Sequence, residues 1–319
     1  MLAALTFVRE KPRFDTVVCG VDEYSLSLGI LIGKKTKIPV FCVVEDPPFT
    51  DRYHRKHSFI KKKEKNIRIW VVHNLLERCT GVFCFAEKEV MREFNISESR
   101  IYQMMNGAPS SAIEWAQAYP HTQEDSREYI IGFVGALTPG QGLETLFEIF
   151  AEAKRQTENV RLRLIGPMDS EYEIRYRDQL SFLGLDSRVE VTGWVPYGKM
   201  LECLNECSVG VYCNPPTDWF RAAQPLKVCE YLALEKPTVA WDYPGVRRLL
   251  DGGRLGVLVP AGDKSAFASA LVRLANPLER RQIKDEIRNA VRGPWASDYW
   301  YAQVLRILNE SAKRVLDAG

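Results

Sequence analysis

The sequence has 319 residues, 46% of them hydrophobic and 26% charged, and its 43 basic and 41 acidic side chains give a net charge of +2. This composition is that of a globular chain and excludes a disordered or fibrous one. The near-neutral charge argues against a dedicated nucleic-acid-binding protein, whose footprint is strongly basic. The length favours two domains, because domains run about 100–200 residues. Neither an apolar run long enough to span a membrane nor a signal-peptide pattern is evident.

The N-terminal third alternates between short apolar runs and amphipathic stretches, a pattern typical of βαβ units with a parallel sheet. Four strands are few for a doubly wound domain, so we expect 1–107 to form an incomplete Rossmann-like domain. A turn signal at Asn106-Gly107 leads into the polar segment 108–128, which we interpret as an interdomain linker. The predicted strands are 14–20, 39–46, 81–86 and 100–105.

From residue 129 the alternation is regular. Six apolar runs with helix-like stretches between them predict a complete doubly wound α/β domain over 129–294. The last segment, 295–319, has an aromatic start and an amphipathic pattern, and we expect it to form a helix that braces the two domains. The predicted strands of the second domain are 129–137, 160–167, 188–194, 209–214, 237–242 and 256–260.

The chain contains eight cysteines, of which several lie inside apolar runs. Cys203 and Cys207 are four residues apart, but no second cysteine or histidine pair stands nearby at the spacing of a zinc site. We therefore predict reduced, packed thiols, which fit a reducing cytoplasm. No arrangement of residues suggests a metal or a cofactor.

Glycines follow the first strand of the second domain, in the segment GALTPGQG at 135–142. Glycine lets backbone amides approach a phosphate closely, and the helix that follows offers its N-terminus to an anion. A glycine-rich turn of this kind is also a common structural feature, and the segment matches neither the dinucleotide fingerprint nor the P-loop. Taken by itself it leaves both interpretations open.

A second group of polar residues follows the fourth strand, in the segment QPLKVCEYL at 224–232. Pro225 suits the first turn of a helix, and Lys227 and Glu230 then share one helix face. A lysine near a helix N-terminus is disfavoured by the helix dipole unless an anion binds there. This pattern predicts a diphosphate site with a carboxylate for ribose hydroxyls, although a surface ion pair remains the alternative. Because ligands bind at the carboxyl ends of parallel strands, the two segments should converge.

The same stretch resembles a known family. The motifs FVGALTPGQGLETL, LRLIGPM, VEVTGWVPYGKMLECLNECSVGVYCNP, QPLKVCEYLALEKPTVAWD and GVLVPAGD occur in order over 129–275. They are similar to the C-terminal domain of retaining glycosyltransferases of family 4, which have the GT-B architecture, and in particular to polysaccharide-assembly members. The N-terminal part resembles the family more loosely, and the family's opening strand and glycine loop have no counterpart in it.

The resemblance implies a function and a set of roles. Lys227 would hold the phosphates of a nucleotide-diphosphate sugar, Glu230 would bind the ribose, and 193–195 would meet the base. The sugar would pass with retention to a saccharide or lipid-linked acceptor, in polysaccharide or glycoconjugate synthesis, without a metal or nucleic acid. The implied donor-binding residues are Gly135, Gln141, Gly142, Trp194, Val195, Pro225, Leu226, Lys227 and Glu230.

Three positions depart from the family pattern. A glutamate that commonly stands eight residues before Glu230 is replaced by Ala222. An arginine and a lysine of the first loop align with Ala136 and Gln141, and a common histidine aligns near Glu45. These departures keep a second hypothesis open, in which the chain is a non-catalytic nucleotide-sugar-binding module or a degenerate fragment. A third hypothesis is a nucleotide-sugar epimerase of the same architecture. Such an enzyme needs acid and base carboxylates and a histidine near the sugar, and the C-terminal domain of this sequence has no such set.

The acceptor side is predicted from the N-terminal part. Glu45 and Asp46 end the second strand and are candidate catalytic residues that would bind the acceptor or activate its hydroxyl. A strand-end cap before the following prolines is the alternative.

The segment 52–68 is strongly basic, with Tyr53 and Phe59 interleaved and Glu64 as its one acid. Such a cluster is attracted to anionic membrane surfaces, and family enzymes often act at the cytoplasmic face on lipid-linked acceptors. We interpret it as a membrane or lipid-phosphate patch that would make the chain peripheral at the inner face. A solvated loop and a nucleic-acid patch are the alternatives. The cations are Arg52, Arg55, Lys56, Lys61, Lys62, Lys63, Lys65 and Arg68.

Overall fold

The structure is a computed structural model that describes residues 14–45, 59–85, 96–120, 128–157 and 159–317, with the backbone alone at 59–65, 139, 218 and 316–317. The chain divides into two compact units. The first unit holds residues up to Met105 together with Trp300 onward, and the second unit is Asn106–Tyr299.

Both units are built from parallel strands and helices. The strands are β1 (Val17–Gly20), β2 (Val40–Val44), β3 (Gly81–Cys84), β4 (Ile101–Gln103), β5 (Tyr129–Val134), β6 (Val160–Ile165), β7 (Val189–Val191), β8 (Val209–Tyr212), β9 (Thr238–Trp241) and β10 (Gly256–Val259). The helices are α1 (Glu23–Thr36), α2 (Phe59–Leu76), α3 (Ser110–Ala118), α4 (Leu143–Gln156), α5 (Ser170–Phe182), α6 (Tyr197–Asn205), α7 (Asp218–Ala222), α8 (Leu226–Ala233), α9 (Pro244–Leu249), α10 (Lys264–Arg273), α11 (Pro277–Ala290) and α12 (Ser297–Asp317).

The first unit is a four-stranded parallel sheet in the order β1-β2-β3-β4. Because side chains alternate along a strand, β2, β3 and β4 each contribute to two cores. Cys42 and Val44 face one core with Leu26 of α1 and Val72 of α2. The opposite face carries Phe41 and Phe83, whose rings stack 5.2 Å apart. The core on this opposite face is completed by α12 through Trp300, Val304, Ile307 and Leu308.

The second unit is a six-stranded parallel sheet in the order β10-β9-β8-β5-β6-β7. This is the doubly wound order in which the chain starts at the centre, moves to one edge and then returns to build the other. Helix α4 shows why the pattern works, since its buried Leu143, Phe147 and Phe150 recur every three to four residues. The spacing of the apolar residues in α4 thereby buries one stripe of this helix.

All ten predicted strands are present, each one to four residues shorter than its apolar run. The α/β class with two Rossmann-like parallel sheets is confirmed. Helix α3 lies within the predicted linker 108–128, and 121–127 fall outside the described residues. The eight cysteines are free thiols, as predicted. Within the described part of the chain, no helix is both long and apolar enough to span a membrane.

Candidate functional site

Two loops converge at the centre of the second sheet. Strand β5 pairs with β6 on one side and with β8 on the other, so the direction of chain winding reverses between β5 and β8. A ligand binds at such a switch point because the two outgoing loops diverge there. We use the term switch-point site for Gly135, Gln141 and Gly142 after β5 together with Lys227 and Glu230 of α8.

The loop after β5 depends on glycine at close approaches. Gly142 has φ +80°, and a Cβ there would lie 2.4 Å from the Cys213 carbonyl oxygen. Gly166, after β6, has φ +143°, and a Cβ there would lie 2.1 Å from the Gly135 carbonyl oxygen. The backbones after β5, β6 and β8 are therefore pressed together in a way that a side chain would prevent. A 3₁₀ turn at Pro139–Gln141 carries Gln141 toward α8.

Lys227 lies in the first turn of α8, as Pro225 predicted. Its Nζ donates to Gln141 Oε1 at 3.2 Å and stands 4.1 Å from the centroid of the Phe133 ring. The same Gln141 oxygen accepts from Asn214 Nδ2 at 3.0 Å. A Cβ at Gly135 would lie 3.1 Å from Lys227 Nζ, so the ammonium group rests directly against the glycine backbone. The lysine thus reaches from α8 to the loop after β5.

Burial shifts the pKa of both charged groups of the site. It lowers the pKa of Lys227 to about 8, although Cys213 and Glu230 act in the opposite direction. It raises the pKa of Glu230 to about 7, and the Lys227 charge only partly offsets this. Desolvation penalises the charged form of each group. An anion beside Lys227 and hydrogen-bond donors beside Glu230 would both relieve that penalty.

The segment before α8 is held by two hydrogen bonds that Asn106 donates to Gln224, both within the second unit. Asn106 N donates to Gln224 Oε1 at 2.8 Å, and Asn106 Nδ2 donates to the Gln224 carbonyl oxygen at 2.9 Å. Because Gln224 immediately precedes Pro225, this clamp fixes where α8 begins.

The structure brings together five of the predicted donor-site residues, namely those of the switch-point site. Leu226 and Trp194 are exposed, Trp194 at 73%, and Val195 is partly buried after β7. Gly193 bridges Gly166, which places the segment after β7 beside the loop after β6. Sequence reasoning missed Asn214, which is 1% exposed and whose Oδ1 has no partner among the described residues. The available signal was its polar side chain at the end of the predicted apolar strand 209–214.

The predicted acceptor-side residues lie partly outside the described chain. Glu45 is exposed at the carboxyl end of β2, whereas Asp46 is outside the described residues. Arg68 is on α2 and pairs with Glu23 through Nε at 2.8 Å. The other patch residues are Arg52, Arg55 and Lys56, which are not described, and Lys61, Lys62, Lys63 and Lys65, for which the structure gives only the backbone of α2.

A metal site was not expected from the sequence. Among the residues that could be searched, no group of three or more histidine, cysteine, aspartate or glutamate side chains could hold a metal ion.

Comparison with known structures decides the fold. HepE of Anabaena, solved in complex with UDP, superimposes with a TM-score of 0.74 at 16% identity and covers 96% of this chain and 82% of its own. The sucrose-phosphate synthase of Thermosynechococcus elongatus gives 0.71 at 19% identity, covering 96% and 75%. The chain has the GT-B fold. At these identities the likeness concerns the fold alone.

Sequence comparison adds a family match for the second unit of this GT-B chain. The family model described as "Glycosyl transferases group 1" matches residues 128–276. A phosphatidyl-myo-inositol mannosyltransferase of Mycobacterium leprae is 31% identical over 136 residues, which are 43% of this chain and 34% of that protein. An alpha-D-kanosaminyltransferase of Streptomyces kanamyceticus is 21% identical over 244 residues, 73% and 61% respectively. The chain thus spans between about a third and two thirds of these relatives.

Proposed function

We propose that this chain is a retaining glycosyltransferase that takes a sugar from a nucleotide-diphosphate donor bound at the switch-point site. A saccharide or lipid-linked acceptor would receive the sugar, in the synthesis of a cell-surface polysaccharide or glycoconjugate. The relatives named as glycosyltransferases, one of them for capsular polysaccharide biosynthesis in Staphylococcus aureus, support this class of reaction. Glu45 and Asp46 remain the candidate residues for acceptor binding.

One observation carries the proposal. Lys227 is partly buried against the ring of Phe133 and bonds to a neutral amide oxygen, and no carboxylate forms an ion pair with it among the described residues. A cation held in this way at a helix N-terminus is prepared for an anion. The diphosphate would gain negative charge as it leaves the sugar, and Lys227 would stabilise that charge. This electrostatic role requires no covalent step.

The direct test has two stages. Thermal unfolding is followed with UDP-, GDP- and ADP-sugars, because a ligand that binds only the folded chain raises its stability. The nucleotide sugar that binds is then offered with simple sugar and lipid-linked acceptors, and the anomeric configuration of the product is read by NMR. Absence of binding by every nucleotide sugar would refute the proposal, whereas binding without transfer to any acceptor would favour the non-catalytic binding module.

The two shifted pKa values predict how affinity for the nucleotide sugar depends on pH. Lys227 loses its proton above about pH 8, so affinity should fall there by up to about tenfold per pH unit. Glu230 is protonated below about pH 7 and then accepts hydrogen bonds less well, so affinity should also fall on the acid side. Calorimetry at a series of pH values should therefore give an optimum between about 7 and 8.

Two conservative variants separate the fall in affinity at high pH, the alkaline limb, from the fall at low pH, the acid limb. Lys227→Arg keeps its charge at high pH and should flatten the alkaline limb, and Glu230→Gln should flatten the acid limb. A nucleotide sugar is the proper probe, because its diphosphate has no terminal phosphate that titrates in this range. A flat profile in the unmodified chain would contradict the assignment of both residues to the site.

The membrane patch is proposed on the basic helix α2. Ile67 and Trp70 follow these lysines in the sequence, lie about one turn apart and are exposed, at 56% and 65%. Exposed apolar side chains next to cations are typical of interfacial helices. We expect the chain to co-sediment with anionic vesicles, to remain in solution with neutral ones, and to be released by salt.

A charge-reversal variant tests this directly. Replacing Lys61, Lys62 and Lys63 with glutamate should abolish sedimentation and leave nucleotide affinity unchanged. The matched control reverses the exposed Lys34, Lys35 and Lys37 at the end of α1 and should still sediment. Equal binding to neutral and anionic vesicles, or equal loss in both variants, would argue against a specific patch.

A further inference from the structure

Asn214 lies just beyond the end of β8, beside the switch-point site, and is buried. Its backbone is held from two sides. Tyr243 Oη donates to the Asn214 carbonyl oxygen at 3.0 Å, and Gly142 approaches so closely that a Cβ there would lie 3.2 Å from the Asn214 Cα. Pro215 follows and restricts the backbone of Asn214 further. The side chain of Asn214 therefore starts from a fixed position, and it extends to Gln141.

The amide of Gln141 can adopt only one orientation in this arrangement. Lys227 Nζ is an ammonium group, which donates hydrogen bonds and accepts none, so the Gln141 atom that it contacts at 3.2 Å must be the oxygen. The Asn214 atom that contacts the same oxygen at 3.0 Å must then be the amide nitrogen. The chemistry of Lys227 thus determines the direction of both amides.

Each amide has a second polar atom, and this orientation decides what that atom meets. Gln141 is partly buried, and no residue that the structure describes accepts a hydrogen bond from its Nε2. Asn214 is fully enclosed, and its Oδ1 receives no donor from the same residues. A buried acceptor without a donor lowers stability, so an amide at this position is costly to the fold. Such a cost is expected where a side chain serves binding.

We infer that Asn214 is a positioning residue, which turns the N–H groups of Gln141 toward the donor diphosphate. This inference rests on the proposed function. A diphosphate at the switch-point site would draw the ammonium group of Lys227 to its own oxygens by charge-assisted hydrogen bonds. Asn214 would then still hold the Gln141 oxygen, and Gln141 Nε2 would donate to the anion.

The need for such a partner follows from the chemistry of glutamine. An amide can meet an anion with its N–H groups, which attract the anion, or with its oxygen, which repels it. Without the bond from Asn214, the amide of Gln141 could turn its oxygen toward the diphosphate. A ligand-binding side chain gains affinity when a neighbouring residue fixes it in the productive orientation.

The test uses the full chain with UDP, GDP and ADP, and continues with the diphosphate that binds most tightly and with its nucleoside. Asn214→Ala and Asn214→Leu both remove the donor and should weaken diphosphate binding about three- to tenfold in calorimetry. Nucleoside binding should be unchanged, because a nucleoside has no phosphate for Gln141 to contact. The matched control is Asn205→Ala at the end of α6, where Nδ2 donates to the Tyr119 carbonyl oxygen at 3.1 Å. It should change neither affinity.

A double-mutant cycle shows whether Asn214 acts through Gln141. Gln141→Ala removes the side chain that Asn214 orients, so adding Asn214→Ala should have no further effect on diphosphate affinity. A residue with a merely structural role would weaken binding by the same factor whether or not Gln141 is present. Denaturant unfolding should show little loss of stability in the Asn214 variants, because the removal of Oδ1 offsets the lost hydrogen bond.

The outcomes separate this inference from the proposed function. If the unmodified chain binds none of the three diphosphates, the proposed function fails and the inference fails with it. If one diphosphate binds, and the Asn214 variants bind it as tightly as the unmodified chain, the inference alone is overturned. The same holds if Asn214→Ala weakens binding equally with glutamine and with alanine at position 141.

Discussion

Replacing Lys227 with alanine should weaken the binding of a nucleoside diphosphate by roughly ten- to a hundredfold, because a charge-assisted hydrogen bond contributes about 1.5–3 kcal/mol. Binding of the corresponding nucleoside should change far less, since it has no phosphate for the ammonium group to contact. Calorimetry with the two ligands measures the difference. The loss should be accompanied by a rearrangement of Gln141, whose side chain Lys227 holds in the free chain.

Two further variants make this result specific. Glu230→Ala should weaken nucleoside and nucleoside diphosphate together, because its proposed partner is the ribose that both ligands share. Lys199→Ala removes an exposed lysine of α6 that pairs with Glu202 and should leave both affinities unchanged. If Lys227→Ala and Glu230→Ala both bound nucleoside diphosphate as well as the unmodified chain does, the switch-point site would be wrongly assigned.

Replacing Gly142 with alanine should lower the free energy of unfolding by about 2–5 kcal/mol. The new Cβ would lie 2.4 Å from the Cys213 carbonyl oxygen in a residue with φ +80°, so an overpacking cost is added to the cost of a left-handed conformation. Because three backbones meet there, the loop after β5 should also lose its fit to a phosphate. Denaturant unfolding gives the stability, and nucleotide affinity gives the second effect.

Gly184 provides the matched control. It has φ +63°, and a Cβ there would meet nothing within 4 Å. Gly184→Ala should therefore cost only the conformational part, about 1 kcal/mol, and should not change nucleotide affinity. Equal costs at the two positions would mean that the loop after β5 shifts freely, and the close contact between the loops after β5 and β8 would then have no role.

The sequence predicted the strands and the location of the switch-point site for identifiable physical reasons. Fully buried parallel strands read as continuous apolar runs, so β5, β8 and β9 were recognisable without any homologue. Parallel strands also end at one edge, which was enough to place the loop after β5 beside Lys227. The shortfall in strand length arises because an apolar run continues into the loop, as Leu137 does after β5.

The remaining features depend on pairings between distant residues, which no local pattern encodes. Asn214 reads as the last residue of the predicted strand 209–214 until Gln141 is placed 3.0 Å away. The pKa values of Lys227 and Glu230 are shifted mainly by burial, and burial follows only from the packed structure.

The path of α12 has a consequence for how the chain is synthesised. From Trp300 onward this helix covers Phe41 and Phe83 of the first sheet. The entire second unit, Asn106–Tyr299, is translated after that sheet and before this part of the helix. At about 5–20 residues per second, the ribosome needs roughly 10–40 s for those intervening residues. Throughout that interval the aromatic face of the first sheet lacks its own covering helix. The nascent chain should therefore be most prone to aggregation, and most dependent on chaperones, after its first sheet forms and before its last helix emerges.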